Sequence, residues 1–149
     1  MNDTSLLQVE YMTGFIIERS SKRMKQVCQQ LLKENDINIT VDQWVVMQEL
    51  NKTNGQVQIS LANNTFKDAP TITRIIDLLC QKGYVERVSN PNDRRRFQIF
   101  LTNSGKDLIR LVEPIIMDFR KKAYEGLDSN QLNILKESLN HIFENLNAI

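Results

Sequence analysis

Apolar residues recur at three- and four-residue spacing through most of the chain and switch to strict alternation in one short stretch. From about Leu6 to Glu34 the residues Met24, Val27, Cys28, Leu31 and Leu32 mark one buried helical face, and no proline interrupts it. Met12, Phe15 and Ile16 form a second apolar cluster near the start of this segment. Such a helix is longer than a small core requires, so part of its apolar face is expected to meet another chain.

The next helix has a marked start. Thr40 with Gln43 three residues on matches a capping box, and Ile39 and Trp44 occupy hydrophobic-staple positions. Trp44, Val45, Met47 and Leu50 carry it to a turn at Asn54-Gly55. A short helix follows over Gln58–Asn64, with Ile59, Leu61 and Ala62 apolar. Another starts at Asp68-Ala69-Pro70, where an acidic residue and a first-turn proline suit a helix N-terminus. Its inward stripe is Ile72, Ile75, Ile76 and Leu79, and Gly83 is placed to stop it.

Then the period changes. Tyr84–Val88 and Phe97–Leu101 read as two strands joined by Ser89-Asn90-Pro91-Asn92. A long helix resumes near Thr102 with Leu108, Val112, Ile115, Ile116 and Phe119 on one side, Pro114 inside it and Gly126 beyond its end. The last helix opens at Asp128, with Gln131 as capping partner and a Leu127–Leu132 staple, and carries Leu135, Leu139, Ile142, Phe143 and Leu146. The predicted order is α-α-α-α-β-β-α-α, a mainly helical fold with a small β-wing. A helix-turn-helix followed directly by a hairpin is the winged arrangement.

Composition narrows the class. The 149 residues, 41% hydrophobic and 25% charged, describe one globular domain. No run approaches the roughly 18 apolar residues of a membrane span, and the N-terminus lacks a signal peptide, so a cytoplasmic location is expected. Cys28 and Cys80 fit neither a zinc spacing nor a disulfide scaffold. The single His141 has no Ser/His/Asp set, phosphate-binding glycine loop or ligand cluster beside it. The expectation is a protein that is not an enzyme and uses no cofactor or metal.

Net charge is only +1, yet it is unevenly spread. Residues 1–64 hold 6 basic and 7 acidic side chains, residues 65–101 hold 7 and 4, and residues 102–149 hold 6 and 7. A positive excess confined to the middle suits a local polyanion contact. On the helix from Ala69, the stripe leaves Thr71, Thr73, Arg74, Asp77 and Gln81 on other faces, and its first turn offers N–H groups suited to a phosphate. Thr and Arg are side-chain types that reach backbone oxygens or base edges in a major groove. Arg94-Arg95-Arg96 project charge from the second hairpin arm, and arginine is favoured in a narrow minor groove. Asp93, which would repel phosphate, is expected to pair with a neighbouring arginine and fix its orientation.

Five segments together carry a resemblance: Leu61-Ala62, Pro70 to Leu79, Lys82 to Arg87, Pro91 to Arg96, and Leu101-Thr102-Asn103-Ser104-Gly105. The chain resembles the MarR family of bacterial transcription regulators across essentially its whole length. The resemblance implies a homodimeric, cytoplasmic repressor of a pseudo-palindromic operator in double-stranded DNA. It divides the chain into a winged helix-turn-helix lobe (37–101) and a helical dimerisation lobe (5–36 and 102–149). It assigns Pro70, Thr71, Thr73 and Arg74 to the major groove, Asp93 and Arg95 to the wing and minor groove, and Arg94 and Arg96 to phosphates. Asn63, Asn64 and Phe66 depart from the family's usual charged or small residues, so an operator sequence does not transfer. Many members release DNA on binding a small aromatic or phenolic effector in the crevice between lobes, where Phe15, Trp44 and Met47 fall by position. Their plainer reading is as core side chains. The alternatives are a winged module that binds protein, and a thiol-responsive regulator acting through Cys80. Cys80, beside the inward stripe, reads first as a small buried hydrophobe.

Overall fold

The structure is a computed structural model that describes residues 3–149, with side chains described for residues 12–93 and 95–149. The chain forms α1 (Asp3–Glu34), α2 (Val41–Lys52), β1 (Gln56–Val57), α3 (Gln58–Asn64), α4 (Ala69–Gln81), β2 (Val85–Asn90), β3 (Asp93–Leu101), α5 (Asn103–Ala123) and α6 (Ser129–Asn147). It divides into two compact units, one extending to Ile116 and the other Met117–Ile149. No described helix is long and apolar enough to cross a membrane.

Local chemistry accounts for the helix starts in the first unit. Thr40 Oγ1 accepts from the Gln43 N–H at 3.1 Å while Gln43 Oε1 accepts from the Thr40 N–H at 3.1 Å, so both capping-box bonds form. Gln43 is almost wholly buried, and its Oε1 also accepts from Lys82 Nζ at 3.2 Å. The same ammonium donates to the Asn38 carbonyl at 2.7 Å, tying the end of α4 to the start of α2. Asp68 caps α4, its Oδ1 accepting from the Thr71 N–H at 2.8 Å. Gly83, at φ 79°, takes the left-handed conformation that ends α4.

The core gathers Leu32, Val46, Met47, Leu50, Leu61, Ile72, Ile76, Leu79, Ile99 and Val112, all essentially without solvent contact. Fully burying each such side chain contributes about 1.5–3 kcal/mol. From α4 this core takes Ile72, Ile75, Ile76 and Leu79, the stripe read from sequence.

The sheet departs from expectation. It has three strands in the order β1-β3-β2, because the two-residue β1 pairs antiparallel with β3 through Gln56↔Ile99 and Val57↔Gln98. The polar stretch Asn54–Gln58 has no strand periodicity and is held instead by individual bonds. The Leu101 N–H donates to Asn54 Oδ1 at 2.9 Å, and the Gly55 N–H donates to the Ile99 carbonyl at 2.9 Å. The buried Gln56 amide donates to the Thr53 and Glu49 carbonyls and accepts from Asn64. The hairpin arms also run further toward the tip than the apolar alternation indicates, since cross-strand hydrogen bonding continues through polar residues.

On α5 the buried residues are Gly105, Ile109, Val112 and Ile116, so Ile109 takes a place the apolar pattern gave to Leu108. The helix runs through Pro114. Thr102 Oγ1 donates to the Gly83 carbonyl at 2.6 Å and accepts from the Gly105 N–H at 3.0 Å. The Leu-Thr-x-x-Gly segment thus stitches the start of α5 to the turn that ends α4. In the second unit α6 repeats the capping box with Asp128 and Gln131, and none of its residues is buried.

Candidate nucleic-acid interface

The first turn of α4 presents Pro70, Thr71, Thr73 and Arg74 to solvent, as the apolar stripe requires. Its N–H groups are less open than expected, because Asp68 occupies the Thr71 N–H. Hydrogen bonding from Thr71 holds the exposed Asp68 carboxyl below its ordinary range, so a negative charge stays at this terminus. Any phosphate here must dock beside that carboxylate. Thr73 is engaged as well: its hydroxyl donates to the Ala69 carbonyl at 2.9 Å and accepts from Gln58 Nε2 at 2.6 Å. Nothing in the sequence pattern singled out Gln58, which stands 15 residues away at the head of α3.

The wing tip is built from two side-chain turns. Asn90 Oδ1 accepts from the Asn92 N–H at 3.0 Å, and Asp93 Oδ1 accepts from the Arg95 N–H at 3.0 Å. Asp93 Oδ2 lies 3.6 Å from Arg96 Nε, so the expected arginine partner is Arg96, while Arg95 is positioned through its backbone. Arg95 is exposed, and the side chain of Arg94 lies outside the described residues. Register slips here: Ser89 pairs with Phe97 but Asn90 pairs with Asp93, so residues 94–96 form a bulge on β3. Strict alternation of the three arginines, expected for a regular arm, does not apply across a bulge.

Two ion-pair sets brace these parts. Arg87 on β2 meets Asp77 on α4 at 2.6 Å, linking the wing to the helix before it. Asp42 on α2 receives both Lys25 of α1 at 3.0 Å and Lys67, which precedes α4, at 2.9 Å. Partial burial pushes the Asp42 carboxyl up, but the hydrogen bonds and charges of Lys67 and Lys25 outweigh it and hold it below its ordinary value. Neither set follows from sequence, since each joins residues far apart in the chain.

The head of α4 and the wing open on shared space. A concavity of about 610 Å³ is lined by Gln58 and Asn63 of α3, Lys67, Asp68 and Ala69 at the head of α4, and Arg95 and Arg96 of β3. The residues suggested for an effector crevice are not gathered in the same way. Trp44 and Met47 are 4% and 0% exposed within the core, whereas Phe15 is 56% exposed with the Arg19 guanidinium over its ring at 5.6 Å. A groove of about 1050 Å³ beside α1 and the α1–α2 turn, lined by Lys22, Gln29, Ile37, Ile39 and Lys82 among others, includes none of the three. Cys28 is buried. Burial pushes the half-buried Cys80 thiol up, with Arg87 opposing and Asp77 adding to the shift, so neutral pH keeps it protonated. His141 lies exposed on α6.

Known proteins share this arrangement. The model of the MarR family matches residues 39–97, from the start of α2 into the wing. The HTH-type transcriptional repressor IacR of Pseudomonas putida is 28% identical over 134 residues, spanning 89% of this chain and 78% of its own. A MarR transcriptional regulator from Methanosarcina mazei superposes with TM-score 0.80 at 26% identity, covering 93% of this chain and 99% of that one. The S. aureus MepR–DNA complex gives TM-score 0.81 at 24% identity over 89% and 96% of the two chains. The chain is thus similar to winged helix-turn-helix regulators of the MarR family, and its segment 39–97, the helix-turn-helix and most of the wing, matches the family model itself.

Proposed function

We propose that the protein is a homodimeric, sequence-specific DNA-binding transcription regulator acting in the cytoplasm, with repression as its mode. The observation that supports this best is the shared concavity, which sets the exposed first turn of α4 beside the exposed wing arginines. In this reading Pro70, Thr71, Thr73 and Arg74 enter the major groove, Arg95 enters the adjacent minor groove, and Arg94 and Arg96 meet phosphates. Asp93 orders the wing. Residues 37–101 act as the reading lobe, and residues 5–36 and 102–149 set two such lobes about one helical turn apart, roughly 34–36 Å. Two relatives fit this reading: IacR is a transcriptional repressor, and MepR was solved in complex with DNA.

A small aromatic or phenolic effector is the proposed release signal, with exposed Phe15 as the side chain best placed to meet it. A shift in operator mobility on adding such compounds supports this, and no shift with any of them removes it. The thiol route through Cys80 is disfavoured because burial keeps the sulfur protonated.

Selecting bound fragments from genomic DNA, followed by mobility shifts over a salt series, tests the main reading. Affinity falls by roughly 0.9 log units per tenfold rise in salt for each phosphate neutralised. Arg95→Ala weakens operator binding by about tenfold, the order of 1.4 kcal/mol for one well-placed groove contact. Binding insensitive to salt, or an unchanged Arg95→Ala affinity, contradicts recognition through the wing.

A further inference from the structure

The bond between Gln58 and Thr73 assigns a reader outside the recognition helix. The Thr73 hydroxyl proton is committed to the Ala69 carbonyl at 2.9 Å, so only a donor can approach its oxygen from elsewhere. Gln58 supplies that donor through Nε2 at 2.6 Å, which fixes the orientation of the amide. One Nε2 hydrogen remains, and Gln58 Oε1 accepts no hydrogen bond from the described residues. A planar amide with one free N–H beside one free C=O matches the N7 acceptor and N6 donor of adenine in the major groove. Because its oxygen faces Ala69 and Gln58, Thr73 is left to present its γ-methyl, which suits a thymine methyl. Gln58 also lines the concavity shared with Arg95 and the head of α4, so the amide faces the space assigned to DNA.

We propose that Gln58 and Thr73 act as one unit that reads an A·T base pair, Gln58 holding the adenine edge and Thr73 packing on a thymine methyl. This rests on the DNA-binding reading above and names one determinant of its specificity. Each operator half-site then contains one position at which adenine depends on Gln58.

The test is selection from a randomised duplex pool by the full-length protein and by Gln58→Ala, Gln58→Glu and Thr73→Val, scored position by position. Gln58→Ala is expected to lose adenine preference by about tenfold at one symmetric position, leaving other positions and the salt slope unchanged. Gln58→Glu, which offers only acceptors, can donate neither to Thr73 Oγ1 nor to adenine N7, so it should lose the adenine preference at the same position. Thr73→Val keeps the methyl but removes the oxygen that orients the amide, so it should relax the same position. Its effect should not add to that of Gln58→Ala. A uniform loss across all sequences in Gln58→Ala makes the residue a phosphate contact and overturns the proposal. Unchanged preferences in both Gln58 variants overturn it too. If Gln58→Ala does not fold, the loss of adenine preference in Gln58→Glu decides alone. A wild-type protein that enriches no sequence overturns the DNA reading itself, an outcome separate from the others.

Discussion

Asp42 holds two lysines from distant parts of the chain, and its protonation is therefore linked to folding. Its folded pKa lies below the ordinary 3.8, so the linked stability is fully present above that value and is lost as pH falls through the depressed one. The carboxylate is 40% exposed, which discounts each bridge toward the small value of a surface pair, whereas the Lys67 side chain is only 14% exposed. Asp42→Asn is expected to cost about 1 kcal/mol near pH 7 and almost nothing in acid, where the wild-type carboxyl is also neutral. Urea midpoints at both pH values check this, and an equal deficit at both would assign the loss to packing instead of charge. At this scale the sequence was informative where partners are close in it. Thr40 with Gln43, and Asp68 ahead of Pro70, are local geometries set by three-residue spacing. Asp42 with Lys67 and Gln58 with Thr73 depend on the tertiary approach of different helices. The left-handed backbone of Phe66, φ 53°, was also hidden, since that conformation is unusual for an aromatic residue.

Helices α1 to α6 were legible because an amphipathic helix gathers its apolar residues on one stripe, and a stripe leaves a period in the chain. Strand β1 left none: two residues are too few to alternate, and its place is held by the bonds of Gln56 and Asn54. Extension of β2 and β3 beyond the apolar positions was hidden for a related reason, as cross-strand bonding ignores side-chain polarity. The start of α5 shows an element fixed by closeness. A Cβ on Gly105 would stand 2.1 Å from the Tyr84 carbonyl oxygen, a backbone atom that accepts the Thr102 N–H and cannot swing aside. Gly105→Ala is therefore expected to destabilise the fold by about 3 kcal/mol, the upper end of overpacking costs. A fall in the melting midpoint measures it, and an unchanged midpoint would mean that the α5 start yields readily. The loss of stability should not be accompanied by a change in base preference, because Gly105 lies outside the concavity.

For the whole molecule, the unanswered apolar surface carries the argument. On α6, Leu135, Leu139, Ile142 and Leu146 recur at four- and three-residue spacing and are 46%, 38%, 40% and 62% exposed. Such a stripe on a helix with no buried residue calls for a partner, and a second copy of the chain is the one proposed above. Leu139→Asp is expected to move the protein from dimer to monomer in sedimentation and to weaken binding to a two-half-site operator far more than to a single half-site. A variant that stays dimeric would place the interface elsewhere. Near-neutral net charge, which at first sight argues against a nucleic-acid partner, becomes intelligible here. The positive excess lies in residues 65–101, which hold the head of α4 and the wing, and the flanking segments are close to balanced.

The slip in register at Ser89/Asn90 separates the wing into a regularly paired base and an irregular tip. Below it, five consecutive pairs from Val85↔Leu101 to Ser89↔Phe97 keep the arms in step. Above it, the side chains of Asn90 and Asp93 order the tip. Residues 91–96 thus lie outside the five regular pairs that align the base. In evolutionary terms, the tip can drift while the hydrophobic core, which lies elsewhere, stays untouched.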